Sequence, residues 1–272
     1  MNKIHLILAG LLAGGAAAHS QIIVNEFLIN GSLSSSSYIE FLVTQDISLN
    51  DLNNIYFGDL TGTRAQSIGG RYKFNLPSDV LPSYANGIVG QGTIITVGAV
   101  SADLDYHPLV AQPNDNAAWN IALPISSQYI TTLANGSLAA TIDGVWLSQH
   151  SDGSTPFAGI AYKYDSSVTS GTAYNNLASS GNIELVTGLD RTTLPQTVSY
   201  IGGAGNLGNP DYYYPDFGNL TTLGSGNGGD NDTYITTLRS TSAVPEPHEY
   251  AMMVGLGLLA FAGWRKFKTA KA

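Results

Sequence analysis

The chain has 272 residues and no cysteine. That excludes a disulfide framework, thiolate metal sites and a cysteine nucleophile. A lipoprotein anchor is excluded as well, because it needs a cysteine behind the signal peptide. Charge is also scarce: Asp, Glu, Lys and Arg together make up 11% of residues, and the basic ones are the scarcer. Between Gln21 and Ala243 stand 18 acidic and 6 basic side chains, a formal charge of −12. Such a surface repels nucleic acid and anionic membranes. There are three methionines against 31 glycines and 15 tyrosines, and Ser, Thr and Asn are plentiful. That is the composition of strands joined by turns, and the opposite of a helical bundle. No Gly-x-Ser-x-Gly elbow, His-Glu-x-x-His pair or P-loop occurs. A non-enzymatic protein is expected.

What is present is clearest at the two ends. Lys3, an apolar core from Leu6 to Ala18 and the small residues of Ala18-His19-Ser20 predict a secretory signal peptide over 1–20, cut after Ser20. At the other end, Pro245-Glu246-Pro247 is held extended by its prolines. An uncharged run follows from Tyr250 to Trp264, then Arg265, Lys266, Lys268 and Lys271. As a helix the run rises about 22 Å, short of the roughly 30 Å of a hydrocarbon core. Tyr250 and Trp264 suit the interface, and the basic residues can snorkel. A transmembrane helix over 250–264 is therefore expected, with the C-terminus cytoplasmic and the body outside.

This tail, Val244-Pro245-Glu246-Pro247, a short hydrophobic helix and an Arg-Lys finish, resembles the PEP-CTERM sorting signal of Gram-negative bacteria. The resemblance covers 244–272. It implies recognition of Pro245, Glu246 and Pro247, with Arg265 and Lys266 closing the motif, by an exosortase. It also implies a transient stay in the inner membrane, held by the C-terminal helix, before transfer to the cell surface or extracellular matrix.

The body, 21–232, reads as strands. Ile22 to Ile29 comes first, with Glu26-Phe27 breaking into a polar loop. In Tyr38 to Val43, Ile39, Phe41 and Val43 share one face. Ile55 to Gly58, Tyr72 to Leu76 and Thr93 to Val97 follow, and Pro77 closes the second of these. Ile23-Val24-Asn25-Glu26-Phe27, Tyr38-Ile39-Glu40-Phe41, Leu52 to Asp59, Phe74 to Leu81 and Thr93 to Val97 together resemble the lamin-tail domain. That family implies an immunoglobulin-like β-sandwich. The fold class expected is thus all-β, a sandwich with long loops, plus one C-terminal hydrophobic helix and the signal peptide. Ser101 to Ala140 has no clear period and reads as an insertion, in which Asn116 to Leu123 suits either a short helix or a strand. Strands resume at Val145 to Leu147, Ile160 to Tyr164, Ile183 to Val186 and Val198 to Ile201. Residues 233–243 are expected to be a final strand and a linker.

Three constellations could carry chemistry. Asp103, Asp105 and His107 align at i, i+2 and i+4 on a strand, which suits a metal or a general base in a secreted hydrolase. Asp230, Asn231 and Asp232 offer oxygen ligands in a turn, which suits calcium as a stabiliser. Tyr212, Tyr213 and Tyr214 could stack on sugar rings. In each case a solvated loop or ordinary packing is the competing reading. The leading expectation is an exported cell-envelope or extracellular-matrix protein, whose body serves adhesion or polysaccharide binding without a cofactor.

Overall fold

The computed structural model describes residues 21–61, 67–77, 87–104, 106, 113, 115–138, 142–163, 183–187, 195–203, 213–217 and 222–241. Strands β1 (Ile22–Ile29), β2 (Gly31–Ser32), β3 (Tyr38–Val43) and β4 (Ile47–Ser48) lead into a one-turn helix α1 (Leu49–Leu52). Then come β5 (Tyr56–Thr61), β6 (Ser67–Phe74), β7 (Ile88–Val89) and β8 (Ile94–Gly98). A 3-10 turn at Ala117–Trp119 opens directly into β9 (Asn120–Pro124), so the Asn116 to Leu123 stretch is both helical and extended. β10 (Ile130–Ala134), β11 (Ser137–Leu138), β12 (Ile142–Ser148) and β13 (Ala158–Lys163) follow. β14 (Ile183–Thr187), β15 (Gln196–Tyr200), β16 (Tyr213–Phe217) and helix α2 (Asp230–Thr241) complete the series.

Twelve of these strands form two six-stranded sheets, ordered β16-β15-β1-β3-β8-β9 and β10-β6-β5-β12-β13-β14. Their pairings are antiparallel except β8 with β9 and β13 with β14. The sheets face each other across an aromatic core. Phe41 of β3 meets Phe57 of β5 at 5.3 Å and Phe74 of β6 at 5.9 Å, both edge to face. Phe27 of β1 stacks on Tyr162 of β13 at 5.3 Å. Offset and edge contacts of this kind are the preferred ring geometries. The fold is thus all-β and strand-rich. Within the 101–140 stretch, β9 and β10 each supply one sheet edge.

Two expectations are corrected here. β1 does not break at Glu26. It continues to Ile29, and a bulge between Val24 and Glu26 absorbs Asn25 as an extra residue. The final strand expected within 233–243 is instead α2. Its buried residues, Asn231, Tyr234, Ile235, Leu238 and Arg239, recur at i, i+3, i+4, i+7 and i+8, the helical period.

The expected C-terminal membrane helix is also corrected, because no helix of the described residues is long and apolar enough to cross a membrane. Membrane contact through that helix before exosortase processing and the transient inner-membrane location depended on it, and have no support among the described residues. The run over 250–264, the triplet Pro245, Glu246 and Pro247, the basic pair Arg265 and Lys266, and the signal peptide over 1–20 lie outside the described residues.

Candidate functional site

Side chains alternate across β1 and β3, so Phe27, Ile39 and Phe41 enter the core while Glu26 and Glu40 take the opposite face. The register puts four polar residues in one row across four strands: Ser199 on β15, Glu26 on β1, Glu40 on β3 and Thr96 on β8. Both carboxylates are wholly buried. Like charges directly opposite each other destabilise a sheet, and a buried charge without partners is costly. Here every carboxylate oxygen has a donor. Glu26 Oε1 accepts from the Tyr38 hydroxyl and, at 3.3 Å, from Thr222 N. Its Oε2 accepts from Ser199 Oγ at 2.9 Å and Thr222 Oγ1 at 2.7 Å. Glu40 Oε1 accepts from Asn25 Nδ2 at 2.7 Å, and Oε2 from Gly224 N at 2.8 Å and Thr96 Oγ1 at 3.3 Å. Burial first, and then the charge of Glu26, push the Glu40 carboxyl up to about 8.

The row therefore serves as a floor on which the 222–229 loop is fastened. Asn227 Nδ2 donates to the carbonyls of Asn25 and Tyr200. Gly224 sits at φ +70, and a Cβ there would overlap the Asn120 amide, whose Nδ2 donates to Gly224 O at 2.6 Å. Only glycine meets both demands. α2 follows and packs against the Gly92 turn, where Arg239 Nε donates to Gly92 O at 2.9 Å. Arg239 Nη1 reaches Pro113 O and Asn116 Oδ1, and the guanidinium lies 5.6 Å from the Trp119 ring centroid. Burial draws its pKa down to about 10.

The fastened loop separates two clefts. One, of about 400 Å³, is lined by Thr96, Ser101, Asp103, Asn120, Leu223 and Gly224 among others. Leu223 is an exposed lip, and Asn120 Oδ1 is buried without a hydrogen-bond partner. The other, of about 230 Å³, is lined by Asn116, Ser225, Gly226, Asp232, Ile235, Thr236 and Arg239.

Asp103 bridges β9 through backbone bonds with Ala122 and is among the residues lining the first cleft. Asp105 and His107 lie outside the described residues. Asp230, Asn231 and Asp232 begin α2 instead of circling a point. Asn231 is buried; its Oδ1 accepts from Asn227 N and its Nδ2 donates to Asn25 Oδ1. Asp232 Oδ1 accepts from Gly228 N at 3.1 Å, which places an acid where the helix dipole favours it. Among the described residues no group of three or more His, Cys, Asp or Glu is placed to hold a metal. Tyr213 is buried, packs on Tyr200 at 5.1 Å and donates its hydroxyl to Val24 O, so its ring is not a free stacking face. The backbone of Tyr214 pairs with Ser199, and Tyr212 lies outside the described residues.

Sequence reasoning missed the Glu26–Glu40 floor, Asn120 and Arg239. The available signal was a pair of acids inside otherwise apolar strands, which only cross-strand register could show to be neighbours.

A second buried carboxylate works in the other sheet. Asp59 accepts from Gly70 N at 2.5 Å and Ser137 N at 3.3 Å, and burial pushes it up to about 6. A Cβ at Gly70 or Gly136 would overlap its Oδ1, so this is a closed structural clamp.

No family model, curated protein or solved structure matches the chain.

Proposed function

We propose that this protein is a non-enzymatic β-sandwich module that binds polysaccharide of a cell surface or extracellular matrix in the cleft beside the 222–226 loop. One observation carries the reading: the larger cleft sets the uncharged polar residues Thr96, Ser101 and Asn120 in a largely apolar wall that includes Val100, Ala102, Ala122 and Leu223, and Asn120 Oδ1 is a buried acceptor without a partner. Sugar recognition uses concave sites with a few fixed polar groups, and hydroxyls can donate to such an acceptor. The exposed Leu223 adds an apolar edge for the C–H face of a ring. The lamin-tail resemblance of the first strands and the acidic body agree with an exported sandwich that avoids nucleic acid. The two strongest carboxylate constellations, at Glu26–Glu40 and at Asp59, are occupied in holding the fold.

The test is affinity electrophoresis of the full chain in gels containing cellulose derivatives, alginate, dextran or xylan. At least one polysaccharide is expected to retard the protein. Ser101→Trp, which fills the cleft from an exposed position, should weaken that retardation about tenfold or more. Equal retardation of the variant and the wild type, or none by any polymer, would overturn the reading.

A further inference from the structure

The second cleft holds an unmet demand of its own. Arg239 is 4% exposed, yet its Nη2 has no hydrogen-bond partner, while Nε and Nη1 are fully engaged. A buried donor left unpaired costs stability unless something else meets it. Across the same cleft stand Asp232, whose Oδ1 is held by Gly228 N, and Ser225, whose Oγ accepts from Asn116 Nδ2 at 3.2 Å and keeps its own proton to donate. The cleft is therefore lined by a cationic side chain whose buried Nη2 has no partner, by an anionic acceptor and by a hydroxyl, with the buried Ile235 behind them.

That set disfavours a simple anion, because Asp232 lines the cleft and Asp115 also acts on the Arg239 charge. It matches a neutral group that donates and accepts at neighbouring atoms. We infer that this cleft is a second subsite, taking one sugar ring through a pair of adjacent hydroxyls shared between Arg239 and Asp232. At about 230 Å³ it falls below the roughly 300–1,000 Å³ of pockets for drug-sized ligands, a size for a single ring. One loop lines both clefts, with Gly224 at the larger and Ser225 and Gly226 at the smaller. Neighbouring units of one chain would thus occupy the two sides. The inference rests on the polysaccharide-binding reading and names what the smaller cleft contributes to it.

The experiment is 15N NMR of the full chain, following the Arg239 side-chain Nε–H. It is titrated with the methyl glycosides of glucose, galactose and mannose, and separately with inorganic phosphate. At least one glycoside should move the Arg239 signal saturably. Asp232→Asn keeps an oxygen for the Gly228 amide and removes the anionic acceptor, so it should weaken that response fivefold or more while lowering the melting temperature by only the few degrees that the loss of a helix-end charge implies. Ser101→Trp should leave the response intact. A response to phosphate alone would overturn the inference in favour of an anion site, and so would an Asp232→Asn variant that responds like wild type. If no glycoside moves Arg239 while polysaccharide still retards the protein, the second subsite is wrong and the larger cleft stands. If retardation is absent too, both readings fall.

Discussion

Gly136 shows how narrow the tolerance is at single positions. Its Cα side faces Asp59 Oδ1 so closely that a methyl group would overlap a carboxylate already held by two backbone amides. Gly136 N also donates to the Tyr72 hydroxyl at 2.6 Å. Gly136→Ala should cost about 3 kcal/mol or more, in the range of severe core strain. Gly87→Ala meets nothing within 4 Å and has only its φ of +75 to overcome, a penalty of about 1–2 kcal/mol. Urea denaturation of the two variants, side by side, checks the difference. Phe41 is the matching case in the apolar core. It touches two rings of the opposite sheet, so Phe41→Ala should lose about 3–5 kcal/mol in the same assay.

At the scale of elements, the 222–229 loop and α2 behave as one unit fastened to the outer face of a sheet. Thr222 donates twice to Glu26, through N and Oγ1. Thr222→Val keeps the shape and the first bond but strands part of a buried carboxylate, for a loss of about 1–3 kcal/mol. Hydrogen exchange should then quicken at Gly224 N and along α2 while β3 stays protected, and uniform quickening would refute the coupling.

Legibility from sequence divides along the same line. Tyr38 to Val43 was readable to the residue, because its alternation is intrinsic to one strand. α2 was not. Its Thr-rich, β-branched composition favours a strand reading, but Thr236, Thr237 and Thr241 return their hydroxyls to carbonyls at i−4 and spend their polarity inside the helix. β10 was hidden because Thr131, Thr132 and Leu133 are all exposed at a sheet edge, leaving no alternation to detect. The candidate site was hidden for a third reason. Thr222 meets Glu26 across 196 positions and Gly224 meets Asn120 across 104, so only the folded chain brings them together.

For the whole molecule, the buried acids set the direction of its pH dependence. Glu40 moves from 4.5 to about 8 and Asp59 from 3.8 to about 6. Each folded form holds its proton more tightly than the unfolded chain, so stability falls as pH rises through these windows. Asp59 contributes between pH 3.8 and about 6, and Glu40 between pH 4.5 and about 8. Above pH 6 the remaining slope belongs to Glu40. The melting temperature should therefore decline from pH 6 to pH 8. Glu40→Gln, neutral throughout, should flatten that decline and leave the drop between pH 4 and 6 partly in place. A wild-type curve that is level or rising from pH 6 to 8 would contradict the buried-carboxyl picture.

The fastening of the 222–229 loop also has a meaning in time. β1 and β3 are among the first segments of this body to be made, yet the donors that close over Glu26 and Glu40 arrive nearly two hundred residues later. Contacts so distant in sequence form slowly, because the intervening chain must be ordered first. Until then the nascent sheet carries two uncovered acids on one face, which keep that face wet and averse to pairing with a neighbour. The residues that hold the finished sandwich together are thus expected to guard the unfinished one as well. A chain ending at residue 221 should stay soluble but molten, with the sheet loosely packed, whereas the chain extended through Thr241 should gain its cooperative transition in one step.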